Sequence, residues 1–178
     1  MADPIIIINY GGGTNSTALI VEALIRGVRP DLIVFADTGS ERPETYDYLK
    51  TFGAWLAARG LTLHITRWIR VLGALKGQFL PLHEWCTLHK SVPSKAFGLA
   101  GCTSKWKQQP IDRFVRERPV VVEAHTRGPV ERWIGYDADE PERAARMAAK
   151  NPAPHLWTWR APLVEWDMGR DECISVID

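Results

Sequence analysis

Ile5-Ile6-Ile7-Ile8-Asn9-Tyr10-Gly11-Gly12-Gly13-Thr14-Asn15-Ser16-Thr17 is the stretch that decides the fold. Its unbroken run of β-branched isoleucines reads as a strand buried on both faces, as in parallel sheets covered by helices on each side. The glycines then allow a sharp turn. Ser16 to Arg26 reads as a helix, with Leu19, Ala23 and Leu24 on one side and Gly27 placed to stop it. Further on, Leu32-Ile33-Val34-Phe35 is a second buried strand that runs into Asp37-Thr38-Gly39-Ser40. Pro43 and Glu44 open a helix carrying Tyr48, Leu49, Phe52, Trp55 and Leu56 at helical spacing. Leu61 to Thr66 alternates as a third strand. The order β-α-β-α-β over residues 1–66 implies parallel strands, right-handed crossovers and a ligand crevice beyond the strands' carboxyl ends. The expected class is α/β, three-layer, with a mainly parallel sheet and helices on both faces, in a Rossmann-like arrangement.

The rest of the chain is less regular. Residues 72–104 hold glycines, Pro81, Pro93 and the His83/Cys86/His89 neighbourhood, and read as an irregular loop or lid with short helices. Pro110 can start a helix through Arg118, and Glu131 to Tyr136 reads as a further strand. Acidic Asp137-Ala138-Asp139-Glu140 follows, then a polar helix from Glu142 to about Lys150, broken by Asn151-Pro152-Ala153-Pro154. Residues 171–178 begin a helix inside which the chain is expected to stop. At 178 residues the whole span 1–178 is expected to form one domain.

Bulk properties exclude several classes. A net charge of +1 sets up no global field that demands a polyanion. The three cysteines, Cys86, Cys102 and Cys173, are odd in number and widely spaced, which fits a reducing cytoplasm better than a disulfide framework. The N-terminal residues lack the basic and apolar regions of a secretory signal, and no apolar run has the length of a membrane span. Eight tryptophans are unusual, and their ordinary meaning is packing.

The chemistry concentrates at the first turn. Consecutive glycines bring backbone N–H groups close to an anion, and the following helix adds its dipole and unpaired amides. Gly11, Gly12, Gly13, Thr14, Asn15, Ser16 and Thr17 are therefore the expected phosphate cradle, with the Ser16 and Thr17 hydroxyls placed to donate. No Gly-Lys-[Ser/Thr] ends the run, so it is not a Walker A loop, and it lacks the third-glycine spacing of a dinucleotide fingerprint. Asp37, with Thr38, falls at a strand's carboxyl end. There it either serves ribose, adenine or a metal, or caps its own turn. Lys105, Lys107 and Arg143 are candidates for neutralising phosphate or sulfate, and Lys107 and Arg143 are the expected catalytic pair. No strained Gly-x-Ser-x-Gly elbow supports a triad from Ser16, His125 and Asp139. Cys86 with His83 and His89 matches no standard zinc spacing, so no metal site is assigned.

Residues Gly11 to Thr17 resemble the pyrophosphate loop Ser-Gly-Gly-x-Asp-Ser-[Ser/Thr] of the N-type ATP pyrophosphatases, with Gly11 at the first Ser and Asn15 at the Asp. Phe35-Ala36-Asp37-Thr38-Gly39-Ser40-Glu41-Arg42-Pro43-Glu44-Thr45-Tyr46 is similar to the FADTG-x-E-x-PETY stretch of the phosphoadenosine phosphosulfate (PAPS) reductase-like branch. Cys102 to Pro110 resembles that branch's Cys-Thr-x(3)-Lys-x-x-Pro segment, and Ile134 to Arg143 its IG-x-x-x-x-E-x-x-R element. Pro162 to Trp166, then Arg170 to Ile174, resemble the run-in to its C-terminal part.

The resemblance implies the adenine nucleotide alpha hydrolase-like superfamily, a HUP-like fold and a bacterial or phage source. It also implies ATP or a PAPS-like adenine nucleotide as ligand, with Mg²⁺. Three activities follow as alternatives: cleavage of ATP to pyrophosphate and an adenylylated acceptor for sulfur or nitrogen transfer, PAPS/APS reductase-type sulfur chemistry, and nucleotide binding without catalysis. Relatives in this branch can hold a [4Fe–4S] cluster. That group wants four thiolates, so here it would require cysteines beyond this chain, in a C-terminal extension. A nucleic-acid or thioredoxin-like partner and a homo-oligomer stay open; a membrane is not expected.

Overall fold

The computed structural model describes residues 4–70, 76–92, 103–151 and 153–178. Its centre is a five-stranded sheet in the order β3-β2-β1-β4-β5, with every neighbouring pair parallel. The strands are β1 (Ile6–Tyr10), β2 (Leu32–Asp37), β3 (Leu63–Arg67), β4 (Val130–Ile134) and β5 (Trp157–Arg160). β1 is central because its side chains are apolar on both faces. Ile6, Ile8 and Tyr10 enter one core, while Ile7 enters the other. β2 divides in the same way, Ile33 and Phe35 against Leu32, Val34 and Ala36.

One face of the sheet is covered by α1 (Thr14–Ile25) and α2 (Pro43–Ala57), joined by α7 (Pro162–Glu165) and α8 (Arg170–Ser175). Leu19, Ile20 and Ala23 of α1 and Leu49, Phe52 and Leu56 of α2 supply its apolar contacts, and Cys173 of α8 is buried among them. The opposite face carries α4 (Gln109–Arg116) and α5 (Pro119–Ala124), through Ile111, Val115, Val121 and Ala124. These are the three layers and Rossmann-like order expected from the first 66 residues.

Elsewhere the structure adds to the reading or corrects it. A short α3 (Leu82–Leu88) occupies part of the 72–104 stretch, and Ile69 pairs antiparallel with Phe79 before it. Residues 93–102, including Cys102, lie outside the described residues. A π-helical segment, Thr103–Gln108, leads directly into α4, which holds Pro110 in its first turn. The expected polar helix is α6 (Pro141–Ala149). The C-terminal helix does not continue to the last residue: α8 closes at Ser175, and beyond it the Ile177 amide bonds only three residues back, to Ile174, in a tightened last turn. No described helix is long and apolar enough to cross a membrane.

Candidate functional site

β1 neighbours both β2 and β4, so the chain leaves the sheet in opposite directions around the β1–β4 boundary, the place beyond the strands' carboxyl ends where open α/β sheets hold their ligands. The glycine turn sits at this boundary. Gly12 has φ +75°, and a Cβ there would lie 3.2 Å from the Phe35 ring and 3.4 Å from Thr45 Cγ2. Its missing side chain thus lets the turn press onto β2 and α2. At Gly13 a Cβ would meet nothing within 4 Å, so this glycine faces open space.

The hydroxyls of the turn point inward. Ser16 Oγ donates to the Gly13 carbonyl at 3.0 Å and accepts from the Gly11 amide at 3.2 Å. Thr17 Oγ1 also reaches the Gly13 carbonyl at 3.1 Å and lies 3.1 Å from the Tyr10 hydroxyl. With both hydroxyls turned onto Gly13, the loop presents backbone N–H groups outward. Among the described residues nothing accepts from the amides of Gly12, Gly13, Thr14, Asn15 or Ser16, whereas the Thr17 amide is already bonded to Gly13. No acidic side chain stands in the first turn of α1 to neutralise its positive end.

Three residues missed as site residues complete this place. Gly135, just past β4, touches the start of α1 so closely that a Cβ would lie 2.7 Å from Ser16 N and 2.8 Å from Ser16 Cα. Asp137, 4% exposed, accepts from Asn15 Nδ2 at 2.6 Å through Oδ2. Its Oδ1 is buried without a partner among the described residues. Arg170, at the start of α8, donates through Nη1 to Asn15 Oδ1 at 2.6 Å and through Nη2 to Thr14 Oγ1 at 3.2 Å. Its amide is held by Asp139 Oδ2 at 2.9 Å. The Asn15 amide is therefore fixed from both ends by a carboxylate and a guanidinium. Gly135, Asp137 and Arg170 fall within the family-like segments, but only the β1–β4 pairing shows that they meet the loop.

Asp37 ends β2 with both oxygens engaged. Oδ1 accepts from the Gly39 amide and the Tyr46 hydroxyl, each at 2.8 Å, and Oδ2 from Arg67 Nε at 2.8 Å. Burial and the Asp37 carboxylate raise the Tyr46 hydroxyl's pKa, which keeps it a donor. Thr38 Oγ1 donates to Glu41 Oε1 at 3.0 Å, and Lys107 Nζ lies 3.3 Å from the same oxygen. Lys107 thus joins Asp37 and Thr38 at the β2 end. Arg143 stands apart: it pairs with Glu140 at 2.7 Å and lies over the Tyr136 ring, and no contact links it to the loop among the described residues. Lys105 Nζ sits 4.3, 4.5 and 4.7 Å from the ring centres of Trp68, Trp85 and Trp106. Burial, with Arg70 nearby, lowers its pKa.

Among the described residues no three His, Cys, Asp or Glu side chains gather as a metal-holding group. The Cys173 thiol is wholly buried, and burial, reinforced by the Asp137 charge, pushes its pKa up to about 11.

No family model matches the chain, and no curated protein matches it. Among solved structures it is similar to the U34-tRNA thiolase NcsA from Methanococcus maripaludis with its [4Fe-4S] cluster, at a TM-score of 0.54 and 11% identity. The likeness covers 99% of this chain and 57% of that one, so the chain spans little more than half of the thiolase's length. At that identity the likeness shows a shared α/β fold across the described sheet and its helices.

Proposed function

We propose that this chain is an adenine-nucleotide-binding enzyme that cleaves ATP between its α- and β-phosphoryl groups. An acceptor oxygen attacks the α-phosphorus, the bond to the bridging oxygen breaks, and pyrophosphate leaves with that bond's electron pair. The adenylylated acceptor is then open to displacement of AMP by a sulfur or nitrogen nucleophile. The observation that carries this reading is the row of uncommitted amides from Gly12 to Ser16, at the positive end of a helix facing the crevice. Gly11 to Thr17 hold the pyrophosphate end, and the β2 end with Asp37 and Thr38 takes the nucleoside end.

Mg²⁺, when bound, would share the charge of the leaving pyrophosphate. Asp137 fits it as the carboxylate in contact with the loop, since Asn15 itself offers none. Lys107, tied to the β2 end through Glu41, adds positive charge beside the nucleotide. The fold shared with a tRNA thiolase supports sulfur transfer as the class and a nucleic-acid base as acceptor. The exposed parts of Trp68 and Trp85 would offer such a base stacking surfaces. A sulfite-releasing reaction finds no accessible thiolate in Cys173.

The test is release of pyrophosphate from ATP and Mg²⁺, with and without unmodified tRNA and a sulfide donor. Formation of pyrophosphate and AMP is expected. Thermal stabilisation by ATP with no pyrophosphate under any of these conditions would leave a binding subunit and refute the enzyme.

A further inference from the structure

The Asn15–Arg170 contact assigns a task to a side chain that the loop sequence does not contain. An arginine has five N–H donors in a rigid fork. One on Nη1 is used on Asn15 Oδ1 and one on Nη2 on Thr14 Oγ1, both neutral oxygens. Among the described residues the Arg170 guanidinium has no carboxylate within ion-pair distance, and its remaining three donors have no acceptor. The neighbouring acids are held elsewhere. Asp137 gives Oδ2 to Asn15 and buries Oδ1, and Asp139 bonds the main-chain amide of Arg170 rather than its side chain. An exposed guanidinium thus stands over the first turn of α1, anchored by two bonds yet with most of its donors unused.

We propose that Arg170 grips the diphosphate end of the nucleotide, closing the amide cradle from the side opposite the sheet. This rests on the function proposed above and adds a residue to the same site. The physical logic is charge compensation. Position 15 is a neutral amide, so the loop brings no carboxylate of its own that would need a cation before an anion could approach. The Asn15 oxygen instead becomes the acceptor that orients the guanidinium. With three donors directed at phosphoryl oxygens, Arg170 would supply charge-assisted hydrogen bonds, each about twice as strong as a neutral one. Because Arg170 holds its place by side-chain bonds to exposed loop atoms, its replacement leaves the core intact.

The experiment is calorimetric titration of the full chain, wild type, Arg170→Gln and Arg170→Lys, with inorganic pyrophosphate, ATP and adenosine. Arg26→Gln, at the C-terminal end of α1 and far from the loop, controls for loss of one positive charge. We expect Arg170→Gln to bind pyrophosphate and ATP about 10- to 100-fold more weakly, with adenosine affinity unchanged. Arg170→Lys, lacking the fork, should recover part of the loss, and Arg26→Gln should match wild type. Wild-type affinity for pyrophosphate in Arg170→Gln overturns the proposal while leaving the proposed function standing. So does an equal loss for adenosine, which marks a structural role. A wild-type chain that binds neither ATP nor pyrophosphate overturns both.

Discussion

Replacing Gly135 by alanine probes whether the end of β4 sets the position of the cradle. The added Cβ would stand 2.7 Å from Ser16 N, 2.8 Å from Ser16 Cα and 2.9 Å from the Asn15 carbonyl carbon. All three are main-chain atoms of the turn that starts α1, so no side chain can swing aside. Reaching ordinary contact at 3.4 Å requires a separation of at least about 0.7 Å between β4 and the loop. Overpacking of this kind costs about 1–3 kcal/mol of folding stability. The same shift moves the amides of Asn15 and Ser16 relative to a bound phosphate, and a tenfold affinity loss, about 1.4 kcal/mol, is the least expected. Urea unfolding gives the first quantity and calorimetry with ATP the second. Ile33→Val, in the sheet core and costing about 0.5–1.5 kcal/mol, controls for destabilisation alone. A Gly135→Ala protein with wild-type stability and affinity would show that β4 and α1 do not approach this closely. Destabilisation with the ATP affinity of Ile33→Val would show that the contact packs the protein but does not place the cradle.

Asn15→Asp sets two carboxylates at the 2.6 Å contact now made by an amide and Asp137. The pair's pKa rises above that of the unfolded chain, so the folded form binds the extra proton and loses stability as pH rises through the raised value. Thermal melts should show a larger deficit against wild type at about pH 8 than at about pH 5, reduced by Mg²⁺; a pH-independent difference would contradict the contact. Asp112→Ala removes the carboxylate bonded to Arg132, which is 1% exposed. A loss of about 2–3 kcal/mol in urea unfolding is expected, below that of a fully buried pair because Asp112 keeps contact with water. Cys173, its thiol held near pKa 11 by burial, should resist iodoacetamide at about pH 8 in the folded protein and react after unfolding, as peptide mass mapping would reveal.

The first two strands were legible because continuous apolar runs declare burial on both faces, the third because its residues alternate, and the glycine turn announced where the chain leaves the sheet. β5 was not. Its four residues, Trp-Thr-Trp-Arg, form too short a run to show a period, and they become a strand by pairing with β4. The turn's bared amides were legible too, but the direction of its hydroxyls was not, since Ser16 and Thr17 satisfy themselves on the Gly13 carbonyl. Asn15 illustrates the limit most clearly. Read along the chain it is a missing carboxylate; in three dimensions it is the partner of Asp137 and Arg170, which lie 122 and 155 residues away. Arg143, singled out by its place in a family-like segment, is carried by α6 to a position over Tyr136 and beside Glu140 that the sequence did not reveal.

The bond between Arg170 and Asn15 spans 155 residues, which gives the molecule a temporal order as well as a shape. At ribosomal speeds of about 5–20 residues per second, on the order of 10–30 s pass between synthesis of the glycine turn and synthesis of the arginine that embraces it. A nascent chain can therefore build β1 to β3 and the turn between them well before the arginine that joins Asn15 has been made.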